Sequence, residues 1–291
     1  QMANRSCPIG NTKSSLAKLF LKQNIDPLRL SAFSFASRKS PEFMCHELVR
    51  CPTCDLVYAS TPPNRAALAN AYHISEFDSA QEADDAAVAY EKAIQPVLRQ
   101  LKSKCSALEI GAGTGAFLEI LKNQGFKTVV GVEPFSAAIA AAPIHRQLWI
   151  RDTIFHEEDF LPESLDFICC FMTLEHVSDP HEIVSAASRL LKRGGAIALV
   201  THNYRGVVNR ILGKYSPIID VEHMQLFSPG SIRKLLENTG FESIKISSFK
   251  NRYAIRYWIR LLPLGPGLKQ KMIKVLDAIS FSDIKLSLNV G

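Results

Sequence analysis

Three glycines follow a short apolar run in the segment Gly111-Ala112-Gly113-Thr114-Gly115. Glycine lets the backbone approach a ligand closely, and a helix that begins after such a turn offers its free N–H groups to the ligand. Gly111, Gly113 and Ala116 also satisfy the G-x-G-x-x-G/A pattern of dinucleotide-binding turns. The turn therefore predicts a cofactor site, and a nicotinamide dinucleotide is one candidate for it.

Two carboxylates flank the glycine turn. Glu109 precedes it, and Glu133 ends the next apolar run, 18 residues after Gly115. At the end of the second strand of a parallel α/β sheet, a carboxylate can accept hydrogen bonds from both ribose hydroxyls of an adenosine. Glu133 therefore predicts an adenosine-containing cofactor. Because NAD sites use the same carboxylate, this residue alone does not choose between cofactors.

Two Glu-His pairs, Glu175-His176 and Glu222-His223, lie further along the chain. Histidine is the usual general base near neutral pH, and it can take a proton from a hydroxyl or from an acidic carbon. Each pair is therefore a candidate for acid–base catalysis. The structural alternative is that the first pair shapes a pocket or caps a helix, while His223 holds a loop over the site. His202, at the expected end of a strand, is a candidate contact of the second substrate.

Strands and helices alternate from residue 106 onwards. The predicted strands cover 107–110, 128–132, 165–171, 196–201 and 241–247, with a Gly194-Gly195 turn before the fourth. The predicted helices cover 82–101, 117–124, 180–191 and 229–239, with Pro96 as a kink or restart in the first and Ser228 as N-cap of the last. Short strands that alternate with helices predict an α/β fold with a doubly wound, mostly parallel, Rossmann-like sheet.

Five motifs follow one another in the chain: LEIGAGTGAF (108–117), VGVEP (131–135), TLEHVSDP (173–180), LLKRGGAIALVTHN (190–203) and EHMQLFSPGSIRKLLENTGFE (222–242). In these motifs, over roughly residues 105–247, the sequence resembles the class I S-adenosylmethionine-dependent methyltransferases. The similarity is to their ubiquinone-biosynthesis-like and sugar-methyltransferase-like branches. It implies methyl transfer from S-adenosylmethionine to oxygen or carbon of a small-molecule acceptor, which is a sugar nucleotide, a glycolipid or a quinone-like compound.

The resemblance also implies roles for particular residues. The cofactor-binding set is Glu109, Gly111, Gly113, Gly115, Glu133, Asp152 and Thr173. The catalytic set is His223, His176, Glu175 and Glu222. Asp152 departs from the family's usual spacing, so a solvated loop charge is the alternative at that position. Two other functions stay open: a nicotinamide-dependent oxidoreductase, which the motifs at 173–180 and 222–242 disfavour, and a cofactor-binding protein without catalysis.

Four of the seven cysteines lie in the first 54 residues. Cys51-Pro52-Thr53-Cys54 has the spacing of a zinc knuckle, and Cys7-Pro8-Ile9-Gly10 looks like a second knuckle whose last cysteine is missing. Related sugar C-methyltransferases carry two complete knuckles, so residues 1–60 resemble a degenerate zinc ribbon. The predicted ligands of a structural zinc are Cys7, Cys51, Cys54 and His46, with Cys45 as the alternative fourth ligand. The other interpretation is a ribbon that has lost its metal.

Positive charge is concentrated near the end of the sequence. The formal net charge is +6, and residues 243–276 hold eight Lys or Arg and no Asp or Glu. Arg252, Arg256 and Arg260 recur every fourth residue beside Tyr and Trp, which predicts a helix with a basic stripe. Such a helix suits an anionic membrane surface or a phosphorylated or lipid-linked acceptor, whereas nucleic acid is disfavoured because no binding motif accompanies it. The alternative is a solvated basic face whose apolar side packs on the core.

The chain divides into four predicted segments: a small zinc-ribbon-like unit (1–60), a helical lead-in (61–104), the methyltransferase core (105–249) and a basic aromatic helical insertion with a final strand (250–291). Hydrophobic residues make up 47% and charged residues 21%, as in globular proteins. No apolar run approaches the roughly 18 residues of a membrane span, and the first residues do not form a cleavable signal pattern. We therefore expect a cytoplasmic protein, with peripheral contact to the inner face of the membrane as an alternative.

Overall fold

A computed structural model of the chain describes residues 4–31, 34–35, 40–75, 79–248 and 250–288. Its strands are β1 (Lys18–Leu21), β2 (Leu48–Arg50), β3 (Val57–Ala59), β4 (Ser106–Ile110), β5 (Thr128–Glu133), β6 (Ile150–Asp152), β7 (Leu165–Phe171), β8 (Leu191–Val200), β9 (Gln225–Leu226), β10 (Asn251–Ala254) and β11 (Lys285–Leu288). Its α-helices are α1 (Arg65–His73), α2 (Ala80–Gln100), α3 (Ala116–Asn123), α4 (Ser136–Ala141), α5 (Ile144–Gln147), α6 (Pro180–Leu190), α7 (Val207–Leu212), α8 (Pro229–Asn238), α9 (Ile255–Leu261) and α10 (Pro266–Ala278). Short 3₁₀ turns lie at Ser14–Leu16, Pro27–Arg29, Glu157–Asp159 and Gly213–Tyr215.

The centre of the fold is a five-stranded sheet with the order β6-β5-β4-β7-β8, in which all neighbouring strands are parallel. Its middle strands are apolar because helices cover both faces, and every residue of β7 is buried. The strand order reverses between β4 and β7, and ligands bind at the carboxyl ends of the strands beside such a reversal. The predicted α/β fold with a doubly wound, mostly parallel sheet is confirmed.

Helix α2 covers one face of this sheet and passes through Pro96 without interruption. Its buried side chains recur at helical spacing, with Tyr90, Ile94 and Leu98 in the core. The restart expected at Pro96 does not occur, since the packing of this face continues on both sides of the proline.

Two strand predictions differ from the structure. Strand β8 begins at Leu191, so the expected Gly194-Gly195 turn lies inside it, where the register with β7 shifts. The expected strand at 241–247 is not formed, although Phe241 and Ile244 pack on the core. These two residues are three positions apart, which does not follow the alternation of a strand. A strand also needs a neighbour to pair with, and residues 241–248 have none among the described strands.

The N-terminal residues form a second, antiparallel sheet with the order β1-β2-β3-β9. Its fourth strand, β9, belongs to the segment after the second Glu-His pair, and Tyr58 of β3 pairs with Gln225 of β9. The N-terminal unit is therefore joined to the central part of the fold by backbone hydrogen bonds. This pairing places β3 directly beside the residues that follow His223.

Residues 250–288 form an antiparallel pair, β10 and β11, with α9 and α10 between them. Arg252 lies in β10 rather than in a helix, so the predicted single stripe of three arginines is wrong. Arg256 and Arg260 pair with acidic side chains at 2.9 and 3.9 Å. Tyr253, Tyr257 and Trp258 are buried in the core, which agrees with the alternative prediction for this part of the segment, whereas α10 has no buried residue. Among the described residues, no helix is both long and apolar enough to cross a bilayer.

Candidate active site

A cavity of 520 Å³ opens at the carboxyl ends of the central strands. Its wall includes Gly111 directly after β4, Glu133 at the end of β5, Met172 directly after β7 and His202 beyond β8. Apolar and aromatic side chains form most of the remaining wall. The size and the mainly apolar lining are typical of sites for small ligands.

The glycine cradle (residues 111–115) forms part of the cavity wall. Gly111 and Gly113 have φ values of +79° and +52°, in the left-handed region that favours glycine. A Cβ at Gly111 would lie 2.7 Å from Thr173 Cγ2, so the two segments pack too closely for a side chain there. A Cβ at Gly113 would meet no described atom within 4 Å, and its absence leaves room for a ligand beside the backbone.

Glu133 adjoins the glycine cradle from the neighbouring strand. One carboxylate oxygen accepts a hydrogen bond from the Gly113 amide at 2.7 Å, and the other accepts one from the Phe135 amide at 2.9 Å. Burial raises the pKa of this carboxyl to about 7. A glycine cradle with a buried acceptor carboxylate on the next strand fits the amino-acid arm and the ribose of S-adenosylmethionine.

Adenosylhomocysteine binding is expected to weaken below neutral pH. A ribose hydroxyl donates to the ionised carboxylate, and Glu133 takes up a proton as the pH falls through its pKa of about 7. The dissociation constant, measured by calorimetry, should rise by up to about tenfold per pH unit below that value. The Glu133→Gln variant has no carboxyl to titrate, so it should bind more weakly and with a flat profile. A flat profile in the wild-type protein would contradict this role of Glu133.

The other residues assigned to the cofactor differ in their placement. Those that line the cavity are Glu109, Gly111 and Thr173, and Gly115 caps helix α3. Asp152 does not line the cavity; it lies beside Glu133 in the β5–β6 pair and accepts a hydrogen bond from Ser136 Oγ at 2.8 Å. Ile154 and Phe155 line the cavity instead, so this part of the wall is apolar where a carboxylate was expected. In the sequence they are only two apolar residues after a short strand.

The two Glu-His pairs meet on the cavity wall. One nitrogen or carboxylate oxygen from each of His176, Glu222 and His223 lies within 4.8 Å of the others. The ring centroids of His176 and His223 are 4.8 Å apart, and that of His202 is 5.5 Å from His223. The three histidines and Glu222 line the cavity, whereas Glu175 is fully buried behind them. The structure thus brings the four predicted catalytic residues together and adds His202 to them.

Two of these imidazoles have hydrogen-bond partners that orient them. His223 Nδ1 lies 2.7 Å from the Ile218 carbonyl, which can only accept, so Nδ1 carries the proton and Nε2 the lone pair. His176 Nδ1 lies 3.0 Å from the Tyr72 hydroxyl. Burial lowers the pKa of both His176 and His223, so both rings are neutral at pH 7 and able to accept a proton.

Glu175 supports this group from the buried side. Its carboxylate accepts a hydrogen bond from the His202 amide at 2.7 Å, and His202 Nδ1 lies 3.3 Å away. Burial opposes the ionisation of Glu175, but its contact with His202 and the neighbouring imidazoles of His176 and His223 outweigh the burial and hold its pKa below the usual value. The ionised carboxylate favours positive charge on the imidazoles above it.

Sequence patterns do not reveal two further groups of site residues. Tyr72, in α1, contacts His176 from 104 positions away in the chain. Tyr253, Tyr257 and Trp258 are buried and line the cavity. From the sequence, these residues are predicted to lie on a helix at the surface. Only the tertiary structure shows that they face the cavity. These three aromatic residues of the C-terminal segment therefore line the candidate site.

A cluster of thiols lies in the N-terminal unit. The Sγ atoms of Cys7, Cys51 and Cys54 lie within 4.8 Å of one another, with those of Cys7 and Cys54 3.4 Å apart. The hydrogen bond between them lowers the pKa of Cys7 below its usual value and raises that of Cys54, so the first thiolate of the cluster forms on Cys7. His46 and Cys45, the predicted fourth ligands, are not among the described side chains that meet there. Cys7, Cys51 and Cys54 pack in one apolar cluster, whereas Cys45 packs in another with Leu48.

Restoring the missing cysteine should complete a four-thiolate zinc site. A Cβ at Gly10 would lie 4.0 Å from Cys54 Sγ, which brings a fourth thiolate to the three present. A ligand that contributes about 3 kcal/mol raises affinity about 100-fold, so Gly10→Cys should hold one zinc per chain at least that much more tightly than the wild-type protein. Chelator competition and elemental analysis measure this. Gly265→Cys, with its thiol in the loop before α10, is the control; equal zinc affinity in both variants would exclude the site.

Comparison with known proteins agrees with this geometry. A family model described as a methyltransferase domain matches residues 82–246, more than half of the chain. The chain therefore belongs to the class I S-adenosylmethionine-dependent methyltransferases, and S-adenosylmethionine is its cofactor.

Curated relatives and solved structures are similar over parts of the chain. A ubiquinone biosynthesis O-methyltransferase from Vibrio atlanticus is 26% identical over 153 residues, which are 48% of this chain and 64% of that protein. Another, from Pseudomonas syringae pv. tomato, is 33% identical over 106 residues, which are 33% of this chain and 44% of that protein. The chain thus spans less than two thirds of the length of these relatives. The match to a solved structure of an S-adenosylmethionine-dependent methyltransferase from Thermotoga maritima covers 72% of this chain and 86% of that chain. The sequence identity is 22% and the TM-score is 0.45.

Proposed function

We propose that this protein transfers a methyl group from S-adenosylmethionine to a hydroxyl or an acidic carbon of a small molecule, with His223 as general base. The observation that carries the proposal is the meeting of three imidazoles on the wall of the cavity that also contains the glycine cradle. The match to a methyltransferase family disfavours the nicotinamide-dependent alternative.

The residues around His223 are suited to proton transfer. S-adenosylmethionine supplies a methyl group that its sulfonium activates, and the protein has to align the acceptor and take up the proton that the acceptor loses. The Ile218 carbonyl holds His223 Nδ1, so Nε2 can accept this proton. The resulting imidazolium lies near the carboxylates of Glu222 and Glu175, which favour its charge.

The aromatic part of the wall supports an acceptor with a planar ring. The rings of Tyr253, Tyr257 and Trp258 lie 4.5 to 5.9 Å apart by their centroids, and all three line the cavity. Aromatic side chains bind other rings by stacking and edge contacts. Because the two relatives above are named as ubiquinone biosynthesis O-methyltransferases, a hydroxylated quinone-like ring is the first candidate acceptor.

A basic cleft beside the cavity supports a phosphate-bearing acceptor as the second candidate. Arg50, Arg210 and Lys214 line this cleft, and no ion pair between described residues includes them. Asn209 and Ile218 line both the cleft and the cavity. A sugar nucleotide or a phosphorylated lipid could therefore bind its phosphates among the cations while its methyl-accepting group lies in the cavity.

Tritium transfer from methyl-labelled S-adenosylmethionine tests the proposal. The purified protein is incubated with panels of hydroxylated quinone precursors, sugar nucleotides and phosphorylated lipids, and with small-molecule extracts of cells. A labelled product identifies the acceptor, and its methylated atom separates O- from C-methylation. Thermal stabilisation by adenosylhomocysteine but not by NADH excludes the oxidoreductase. Such stabilisation without any labelled product would favour a cofactor-binding protein that lacks catalysis.

Peripheral contact with a membrane stays a prediction. Arg256 and Arg260 of the C-terminal segment are paired, so the charge that remains for such contact is on the exposed side chains of Lys250, Arg252, Lys271 and Lys274. Sedimentation with anionic vesicles, compared with neutral vesicles, tests this contact. Equal amounts of protein in both pellets would favour a solvated basic surface.

A further inference from the structure

The two Glu-His pairs lie on different segments of the chain, and one buried side chain joins these segments. We propose that Gln225 is a positioning residue that keeps His176 and His223 at their observed separation, and that Arg5 of the N-terminal unit orients its amide. The importance of this contact for turnover rests on the proposed role of these histidines in proton transfer.

Gln225 uses every polar atom of its side-chain amide. Its Nε2 donates to the Leu174 carbonyl at 2.6 Å and to the Val177 carbonyl at 2.7 Å, and these two residues flank Glu175-His176. Its Oε1 accepts a hydrogen bond from Arg5 Nη2 at 3.1 Å, and the side chain is fully buried. A satisfied amide of this kind holds both segments in one geometry, because a displacement would leave buried polar groups without partners.

The backbone beside Gln225 holds the same turn. The amides of Met224 and Gln225 both donate to the Glu175 carbonyl, at 2.7 and 3.2 Å. Met224 and Gln225, whose amides bind Glu175 of the first Glu-His pair, directly follow His223 of the second pair in the chain. Four hydrogen bonds from two successive residues thus join the two pairs. This connection accounts for the 4.8 Å between the ring centroids of His176 and His223.

Arg5 determines the orientation of the Gln225 amide. A guanidinium only donates hydrogen bonds, so it can face the amide oxygen but not the amide nitrogen. Arg5 also donates to the carbonyls of Ala59, Ser178 and Met224, at 2.9, 2.7 and 3.1 Å, and is held in place by them. With its oxygen toward Arg5, the amide of Gln225 must present both of its donors to the turn that carries the first Glu-His pair.

The N-terminal unit provides the frame for this contact. Arg5 lies two residues before Cys7, and Tyr58, four residues after Cys54, pairs with Gln225 between β3 and β9. The thiol cluster therefore holds together the segment that carries Arg5 and the strand that lies beside Gln225. In this way the N-terminal unit contributes to the alignment of the candidate bases without lining the cavity with its thiols.

The Gln225→Met variant tests the proposal. It keeps the length of the side chain and removes both donors, so residues 174–177 are no longer held by an amide. Adenosylhomocysteine affinity should stay within about threefold, because Gln225 does not line the cavity. By NMR of histidine-labelled protein, the titration midpoints of His176 and His223 should move toward the ordinary value by about one pH unit. Turnover of the acceptor found by tritium transfer should fall by about 10- to 100-fold.

Gln147→Met is the matched control for this variant. Gln147 donates one amide hydrogen bond to the Ala142 carbonyl at 2.7 Å, away from the cavity, so both midpoints should stay unchanged. If Gln225→Met does not fold, Gln225→Glu replaces it, because it keeps the shape and the contact with Arg5 but presents an oxygen to both carbonyls. Unchanged midpoints in a folded variant overturn the proposal, whatever its melting temperature. The midpoints need no acceptor, so a failure to find methyl transfer does not affect this test.

Discussion

Replacing His223 with alanine is expected to lower kcat by about 10²- to 10⁴-fold, the usual contribution of a general base. The affinity for adenosylhomocysteine should stay within about threefold, because the glycine cradle follows β4 and Glu133 ends β5, whereas His223 lies in the segment before β9. The base is well placed for this role, since the Ile218 carbonyl orients its ring and Glu222 lies beside it on the cavity wall. Single-turnover rates with labelled S-adenosylmethionine separate the two effects.

The pH profile of the same reaction reports on the same imidazole. Burial lowers the pKa of His223 below its ordinary value of 6.5, and only the neutral ring accepts a proton. With S-adenosylmethionine saturating at every pH, so that the titration of Glu133 does not contribute, kcat/KM for the acceptor should therefore rise with pH through this lowered pKa and reach its plateau before neutrality, and His223→Ala should lose the rise. His145→Ala is the control, because His145 is exposed on α5 and pairs with Glu119 at 3.2 Å. An unchanged kcat in His223→Ala would exclude His223 and leave His176 and His202 as candidate bases.

Alanine at Gly111 is expected to destabilise the fold and to abolish cofactor binding. Its Cβ would lie 2.7 Å from Thr173 Cγ2, in a residue whose φ of +79° is strained for any side chain. Overpacking and the left-handed φ together cost about 3 kcal/mol, which lowers the melting temperature. The cradle must also shift away from Thr173, so adenosylhomocysteine affinity should fall by more than about 100-fold. Thermal unfolding and calorimetry measure the two losses.

Alanine variants of two other glycines distinguish the effect of backbone strain from the effect of a steric clash. Gly113→Ala meets no described atom within 4 Å and adds its methyl group to the cavity wall, so it should lose affinity with only a small loss of stability. Gly125→Ala, at a φ of +96° outside the cavity, should carry a strain of about 1 kcal/mol and leave affinity unchanged. If Gly111→Ala kept wild-type stability and affinity, the packing of the cradle against Thr173 would be wrong.

The fold separates some residues that lie close together along the chain from the sites predicted for them. His46 lies five residues before Cys51, but strand β2 intervenes and His46 does not reach the thiols. Asp152 ends a strand beside Glu133, yet it is engaged by Ser136 and the cavity is lined by Phe155 instead. In both cases the position of the side chain depends on tertiary packing, which a local sequence pattern does not contain.

The sequence by itself determined the α/β fold, the position of the glycine cradle and the position of Glu133 at the end of the next strand. Each of these depends on residues a few positions apart, whose periodicity and backbone preferences act locally. Only the tertiary structure decided that the two Glu-His pairs share one wall, that Tyr72 and the C-terminal aromatic residues complete it, and that Gln225 joins its parts. The contacts of Tyr72 and Gln225 connect residues between 48 and 220 positions apart. Such contacts form when whole elements pack together, because the entropy of closing long loops is offset only by the burial and hydrogen bonding of the complete fold.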